Sequence, residues 1–350
     1  MPLTDLNIIE EGARVMRICN SCRYCEGFCA VFPAMERRLT FAEADLNYLA
    51  NLCHNCGECF YACQYAPPHE FAVNVPKLMA ELRLRSYKRY SWPPWFGGLS
   101  KANLTLAAVC IVLVLTAGNH DGLSFYQVVS HRSMVAWFGA ISLFVLVAFA
   151  AGVLRFWREI GGQLTARAAA QGFRDALTLR YLDGGGGGCA YPAETQSQAR
   201  RWFHHLTFYG FGLCFASTVT AAFYHYVLRL QAPYAFNSVP VLLGSMGGAG
   251  LIAGTGGLLW LKGMRNPQTQ DQKQTGMDLA FLLLLFLSAA TGLALLALRE
   301  SSLMANLLLI HLGIVFALFL TLPYGKFVHA IYRSAALIRY ALERQSGVHR

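Results

Sequence analysis

Cys19, Cys22, Cys25 and Cys29 follow one another with the spacing C-x-x-C-x-x-C-x-x-x-C, and Cys53, Cys56, Cys59 and Cys63 repeat it. The two runs take eight of the eleven cysteines. Thiolates at i, i+3 and i+6 can wrap one side of a cubane iron-sulfur cluster, while the fourth cysteine of each run reaches the other cluster. The spacing therefore predicts two 4Fe-4S clusters with crossed ligation: Cys19, Cys22, Cys25 and Cys63 on one, Cys53, Cys56, Cys59 and Cys29 on the other. Structural zinc needs a single tetrahedral set and leaves the second run without a purpose. A disulfide framework needs an oxidising compartment, and no cleavable signal segment is expected ahead of Cys19. Proline usually follows the fourth cysteine directly; here Pro33 and Pro67 come four residues later, which alters the next turn and leaves the ligands as they are.

Beyond residue 100 the chain alternates between apolar runs of spanning length and short polar connections, which accounts for a composition of 55% hydrophobic and 14% charged residues. Two domains are predicted: a cytoplasmic two-cluster head over 1–90 and a membrane domain over 91–350. The fold class expected is mainly α, a ferredoxin-like two-cluster helical head followed by a six-helix transmembrane bundle. The six spans fall near 102–118, 132–154, 204–228, 239–261, 278–298 and 304–329. The net charge of +10 does not point to nucleic acid, because the basic residues gather beside the apolar runs. One set of connections carries Arg155, Arg158, Arg167, Arg174, Arg180, Arg200 and Arg201, then Lys262, Arg265 and Lys273, then Lys326, Arg333, Arg339, Arg344 and Arg350. The opposite side has Arg132, Arg229 and Arg299. The asymmetry predicts a multi-pass protein of the inner (cytoplasmic) membrane with both termini cytoplasmic.

Pro33 to Ala50, with Phe41, Leu46 and Leu49 at helical spacing, is expected to cover the clusters. Val75 to Tyr90, with Lys77, Arg83, Arg85, Lys88 and Arg89, reads as a basic helix on the membrane surface, followed by Trp92 and Trp95. Gly184 to Gly188 lacks the ending of a phosphate loop and reads as a flexible connection. The glycines from Gly244 to Gly257 lie inside a span and suit close helix packing or a flat cofactor. Cys110 and Cys214 read as packing residues, and Cys189 has no partner that the sequence names.

Ionisable side chains at membrane depth are costly, so the histidines of the spans need a reason. His311 and His329 are eighteen residues apart; on one continuous helix they would share a face with ~27 Å of rise between them. On the third span His204 and His225, 21 residues apart and about 60° off one face, form a matching pair, whereas the neighbouring His205, 20 from His225, falls about 160° off. Pairing His204 with His329 and His225 with His311 would provide ligands for one or two b-type haems, with His131 and His120 as alternatives for the outer site. His205, if His204 binds iron, could border a quinone. No C-x-x-C-H occurs, so haem would be held without covalent attachment. No hydrolase triad order, paired-carboxylate site or dinucleotide fingerprint stands out, so no catalytic residue is assigned.

The cysteine runs, the stretch Arg180-Tyr181-Leu182-Asp183-Gly184 to Cys189-Ala190-Tyr191-Pro192, and Arg200-Arg201-Trp202-Phe203-His204-His205 together resemble the tricarballylate/citrate utilization protein B family, over nearly the whole chain. The resemblance implies an electron-transfer subunit of a flavoprotein:quinone oxidoreductase. Its donor would be a separate FAD dehydrogenase that oxidises tricarballylate, and its acceptor the membrane quinone. It also implies haem, as in the related membrane half of a fused flavoprotein of cobalamin synthesis. The alternative is a membrane redox sensor or transport-associated protein gated by its clusters.

Overall fold

The computed structural model describes residues 5–101, 103–120, 122, 124–190 and 195–347; Ala102, Tyr191, Pro192 and Arg350, which the sequence argument used, lie outside them. Five helices build the head: α1 (Asp5–Cys22), α2 (Val31–Met35), α3 (Glu43–Leu52), α4 (Glu58–Tyr61) and α5 (Val75–Tyr90). Helix-spaced apolar residues explain the packing: Val15 and Met16 of α1, Leu46 and Leu49 of α3, and Met79 and Leu82 of α5 are all fully or almost fully buried in one core. The expected ferredoxin-like fold is not what forms. The only sheet among the described residues joins two-residue strands, β1 (Cys189–Ala190) and β2 (Gln196–Ser197), and these belong to a later connection. Helices and their connecting loops carry the cysteines instead.

The basic helix α5 does not lie on a membrane surface either. It runs through the centre of the head, with Leu78, Met79, Leu82, Arg83, Ser86, Tyr87 and Tyr90 buried. Two of its other cations are used within the protein, where Arg85 and Arg89 pair with Glu43 and Arg89 reaches Glu159 at 3.0 Å. Apolar residues on the opposite face of a basic helix can pack on protein as readily as on lipid, and here protein supplies the surface.

The membrane part contains α6 (Asn103–Ala117), α7 (Phe125–Val128), α8 (His131–Ile160), α9 (Ala166–Leu177), α10 (Ala199–Tyr226), α11 (Val239–Gly263), α12 (Gln272–Ala297), α13 (Met304–Thr321) and α14 (Val328–Ser346). Five of these, α8 and α10 to α13, are long and apolar enough to cross a membrane, so the chain is a multi-pass membrane protein. The sixth expected span is not among them. Apolar but only 15 residues long, α6 extends about 22 Å against a hydrocarbon core of ~30 Å. It packs along α13, where Gly313 admits Ile111 and Leu309 lies against Gly118.

The expected span 304–329 is also divided. The helix ends at Thr321, and Pro323, which cannot continue it, lies in the turn before α14 begins at Val328. His311 and His329 therefore stand on different helices, and the shared-face argument for them does not hold. Instead α14 turns back along the head. Val328, Tyr332, Ala336 and Tyr340 join the head core together with Phe156 and Ile160 from the end of α8. Arg38 pairs with Glu343 at 2.7 Å, and Tyr48 donates to the same carboxylate at 3.1 Å.

The span glycines serve helix packing. A Cβ at Gly247 would stand 2.8 Å from the backbone N of Cys214, and one at Gly254 would stand 2.5 Å from that of Thr207. The backbones of α10 and α11 touch along that stripe, which leaves no gap between them for a flat group.

Candidate functional site

Cys19 and Cys22 sit on the last turn of α1, one helical turn apart, and Cys25 follows in the next loop. Cys53 caps α3, where its Sγ accepts from the backbone N–H of Asn55 at 3.3 Å, and Cys59 lies in α4 with Cys63 just beyond it. Two cavities lie against these loops. The larger, about 280 Å³, is lined by Cys19, Cys22, Cys25, Cys59 and Cys63. The smaller is lined by Cys29, Cys53, Cys56 and Cys59. Each run thus lends its fourth thiol to the other run's cavity. Burial, followed by the neighbouring Cys63, Cys25 and Cys22, pushes the bare Cys19 thiol up to about 12. Burial also raises Cys29, with Cys56 and Cys53 as the thiols beside it. Crowded thiols that resist ionising together suit a cationic inorganic core, which would relieve the repulsion. Among the described residues no three Cys, His, Asp or Glu side chains converge tightly enough for one metal ion.

The connection ahead of α10 closes over these loops. Gly184, Gly185, Gly186 and Gly188 all have positive φ, a backbone region open to glycine, so this stretch is a shaped turn rather than a flexible linker. Gly185 leaves no room for a Cβ beside the carbonyl of Gly27, inside the first cysteine loop, and Gln196 donates to Glu58 at 2.6 Å. This turn buries Cys189 beside Cys56. The Cys56 thiol donates to Cys189, with Arg200 3.9 Å from the Cys189 sulfur, so Cys189 is lowered to about 6 and Cys56 is raised.

Beneath the smaller cavity, four arginines from four elements hold residues 50–55. Arg83 of α5 donates to the carbonyl of Ala50 at 3.1 Å, and Arg333 of α14 to that of Leu52 at 2.8 Å. Arg200 of α10 donates to the carbonyls of His54 and Asn55 at 2.8 and 3.0 Å. Arg265, just past α11, donates to the Asn55 side-chain oxygen at 2.5 Å. The His54 Nε2 meets Arg333, and burial followed by Arg333 and Arg200 keeps its imidazole neutral by lowering it well below its usual value.

His204 lies four residues after Arg200, and His329 four before Arg333, so each helix turns an arginine to the cysteine loop and a histidine one turn away. The rings of His204 and His329 stand 6.1 Å apart, centre to centre. Two imidazoles bound to one metal at ~2.0 Å each place their centres roughly 6 Å apart. The Nδ1 of His204 is buried without a partner, whereas the Nδ1 of His329 donates to the Lys326 carbonyl at 2.6 Å. His205 points elsewhere, stacked on Tyr209 at 5.7 Å beside the exposed Trp202.

The outer histidines are arranged differently. His225 lies 4.2 Å from His131, stacked rather than spaced for a shared metal, while His311 sits against Thr291 at 3.0 Å and Gly292. His120 contacts Asn306 at 2.8 Å and the Leu115 carbonyl. The structure brings His204 to His329 and His225 to His131; among the described residues it gives His225 no ring contact with His311. Sequence reasoning missed the arginines and Asp278, which is held between Lys262 at 2.8 Å and Lys326 at 2.9 Å. The four-residue Arg/His spacings were the available signal for two of the arginines.

Two quartets of thiols in a helical head, closed onto a bundle of spanning helices, define a membrane protein with a cysteine-rich head. The chain belongs to the citrate utilization protein B family. The family model "Citrate utilization protein B" matches residues 97–348, and "Citrate utilization protein B Fer4-like domain" matches 12–89. Citrate utilization protein B of Escherichia coli is 52% identical, covering 96% of this chain and 93% of its own length. No solved structure matches the chain.

Proposed function

We propose that this protein is an electron-transfer subunit that takes electrons from a soluble flavoprotein and delivers them to quinone in the membrane. The observation that carries this reading is the gathering of eight thiols around two adjacent cavities, with Cys59 lining both and each run's fourth cysteine lining the other run's cavity. Cys19, Cys22, Cys25 and Cys63 would hold one 4Fe-4S cluster, and Cys53, Cys56, Cys59 and Cys29 the other. His204 and His329 would hold a b-type haem. Bound there, these groups supply one-electron storage at successive points between partner and membrane.

The chain's own residues orient and shield them. The glycine turn and Cys189 seal the second quartet, the arginines fix its loop, and Phe32 with Val75 forms apolar wall between the two. The donor would be an FAD dehydrogenase, with tricarballylate as substrate following the family resemblance, docking on the open first quartet near Tyr24, which is 69% exposed. Because α14 packs on the head, the head and the C-terminal helix lie on one side, and the basic connections gather there too. That supports a cytoplasmic side for both in the inner membrane. Quinone, arriving from the lipid, would meet the outward face of α10 at His205.

The test is analysis of the purified protein in detergent. About nine iron, eight in clusters and one in haem, and about eight acid-labile sulfide per chain, with a Soret band of b-type haem, is the expected result. Protein free of iron and sulfide would end the reading. Reduction by the flavoprotein and reoxidation by a quinone analogue, followed by stopped flow, then tests the direction.

A further inference from the structure

We infer that Arg200, Arg265 and Arg333 form a cationic collar that makes the second thiol quartet the preferred electron acceptor of the two. The inference rests on the proposed pair of clusters and goes further by ordering them. Arg200 and Arg333 each carry two observations. Both donate to the loop that holds Cys53 and Cys56, and both stand one helical turn from the histidines that meet beneath it. Arg265 adds a third guanidinium on Asn55, from the far side of the bundle.

No buried arginine lies on the first quartet's own loop. The cations of its own loop are Arg17 and Arg23, both exposed, and Arg23 is turned to the Asn20 carbonyl at 3.0 Å. The buried Glu58 lies between the two sets, fixed by Gln196. Cys53 and Cys56 are buried, whereas Cys19, Cys22 and Cys25 are partly open to solvent.

A four-thiolate cluster is anionic, and reduction adds a further negative charge. Burial opposes that addition and fixed positive charge favours it. Without cations the buried quartet would be the poorer acceptor; three guanidiniums held by backbone carbonyls in a site of low dielectric reverse the order. Each transfer then moves one electron, so the outer cluster is oxidised by one as the inner cluster is reduced by one, and no atom or proton changes place. The collar also faces His204 and His329, so the better acceptor is the one nearest the membrane. The arginines thus give the relay its direction, a role distinct from setting topology.

The test is a potentiometric titration followed by paramagnetic resonance on the full-length holoprotein. Cys22→Ser identifies the second centre by removing the first. In the unaltered protein the second centre should have the higher midpoint potential. Arg333→Gln and Arg200→Gln should each shift that centre downward and leave the first in place, while Arg333→Lys, which keeps the charge, should restore most of the shift. A second centre lower than the first in the unaltered protein overturns the inference even if every arginine variant misfolds. So does a shift that follows Lys and Gln equally. Two clusters in the wrong order would reject the collar and keep the relay, whereas absence of clusters would reject both.

Discussion

The two thiol quartets are built from the same spacing and differ in almost everything around it. The first sits at the end of α1 beside an open cavity of about 280 Å³, with exposed Tyr24 at its mouth. The second is closed by β1, the glycine turn and arginines that arrive from positions as distant as 333. The lesson is that a ligand motif specifies what can be held, while long-range contacts specify what the held group faces. One quartet lies open to solvent and the other is closed onto the helices that follow the head.

The strongest way to break that comparison is to test the crossed sets. Cys63→Ser should remove the same resonance signal as Cys22→Ser, and Cys29→Ser the same as Cys56→Ser, each with loss of about half the iron and sulfide. If Cys63 instead followed Cys56, the cavities would have been misassigned. Next in size is the test of the proposed haem site at His204 and His329. His204→Ala and His329→Ala should abolish the same absorbance, and His205→Ala should retain it, as read from reduced-minus-oxidised spectra.

A smaller effect is expected where α14 is tied to the head. Glu343→Gln weakens the contacts from Arg38 and Tyr48, and charged hydrogen bonds of this kind are worth about 1.5–3 kcal/mol. Thermal unfolding should begin earlier, and the second cluster should be lost before the first. The smallest effect belongs to the open side. Tyr24→Ala should change stability by no more than about 0.5 kcal/mol, because the ring is largely exposed, yet slow reduction by the flavoprotein. Unchanged reduction would move the docking surface elsewhere.

The sequence made some of this legible and hid the rest for physical reasons. Cysteine spacing is local and survives any fold that keeps the loops, so the two runs could be found directly, and each run's fourth cysteine lines the other run's cavity. Hydropathy located the apolar helices, but it could not see that α6 falls short or that the turn at Pro323 detaches His329 from His311's helix. The pairing of His204 with His329 was reached for a reason that fails, since a continuous last span was assumed. Arg200, Arg265 and Arg333 were counted as topology markers because a charge count is blind to which carbonyl a guanidinium meets. The ferredoxin-like scaffold was expected because the motif suggested it, yet Val15, Leu46, Leu49 and Leu82 recur at helical spacing and build helices.

The position of Arg333 also has a consequence in time. The loop carrying Cys53 and Cys56 leaves the ribosome long before α14, whose arginine closes it. At ~5–20 residues per second, some 270 residues of further synthesis take roughly fifteen seconds to a minute. Throughout that interval the nascent second quartet lacks the contact from Leu52 to α14 and lies more open than in the finished protein. If the quartet takes up the proposed cluster, that interval is the window in which iron and sulfide would reach the less accessible of the two sites, and the last helix to dock shuts it.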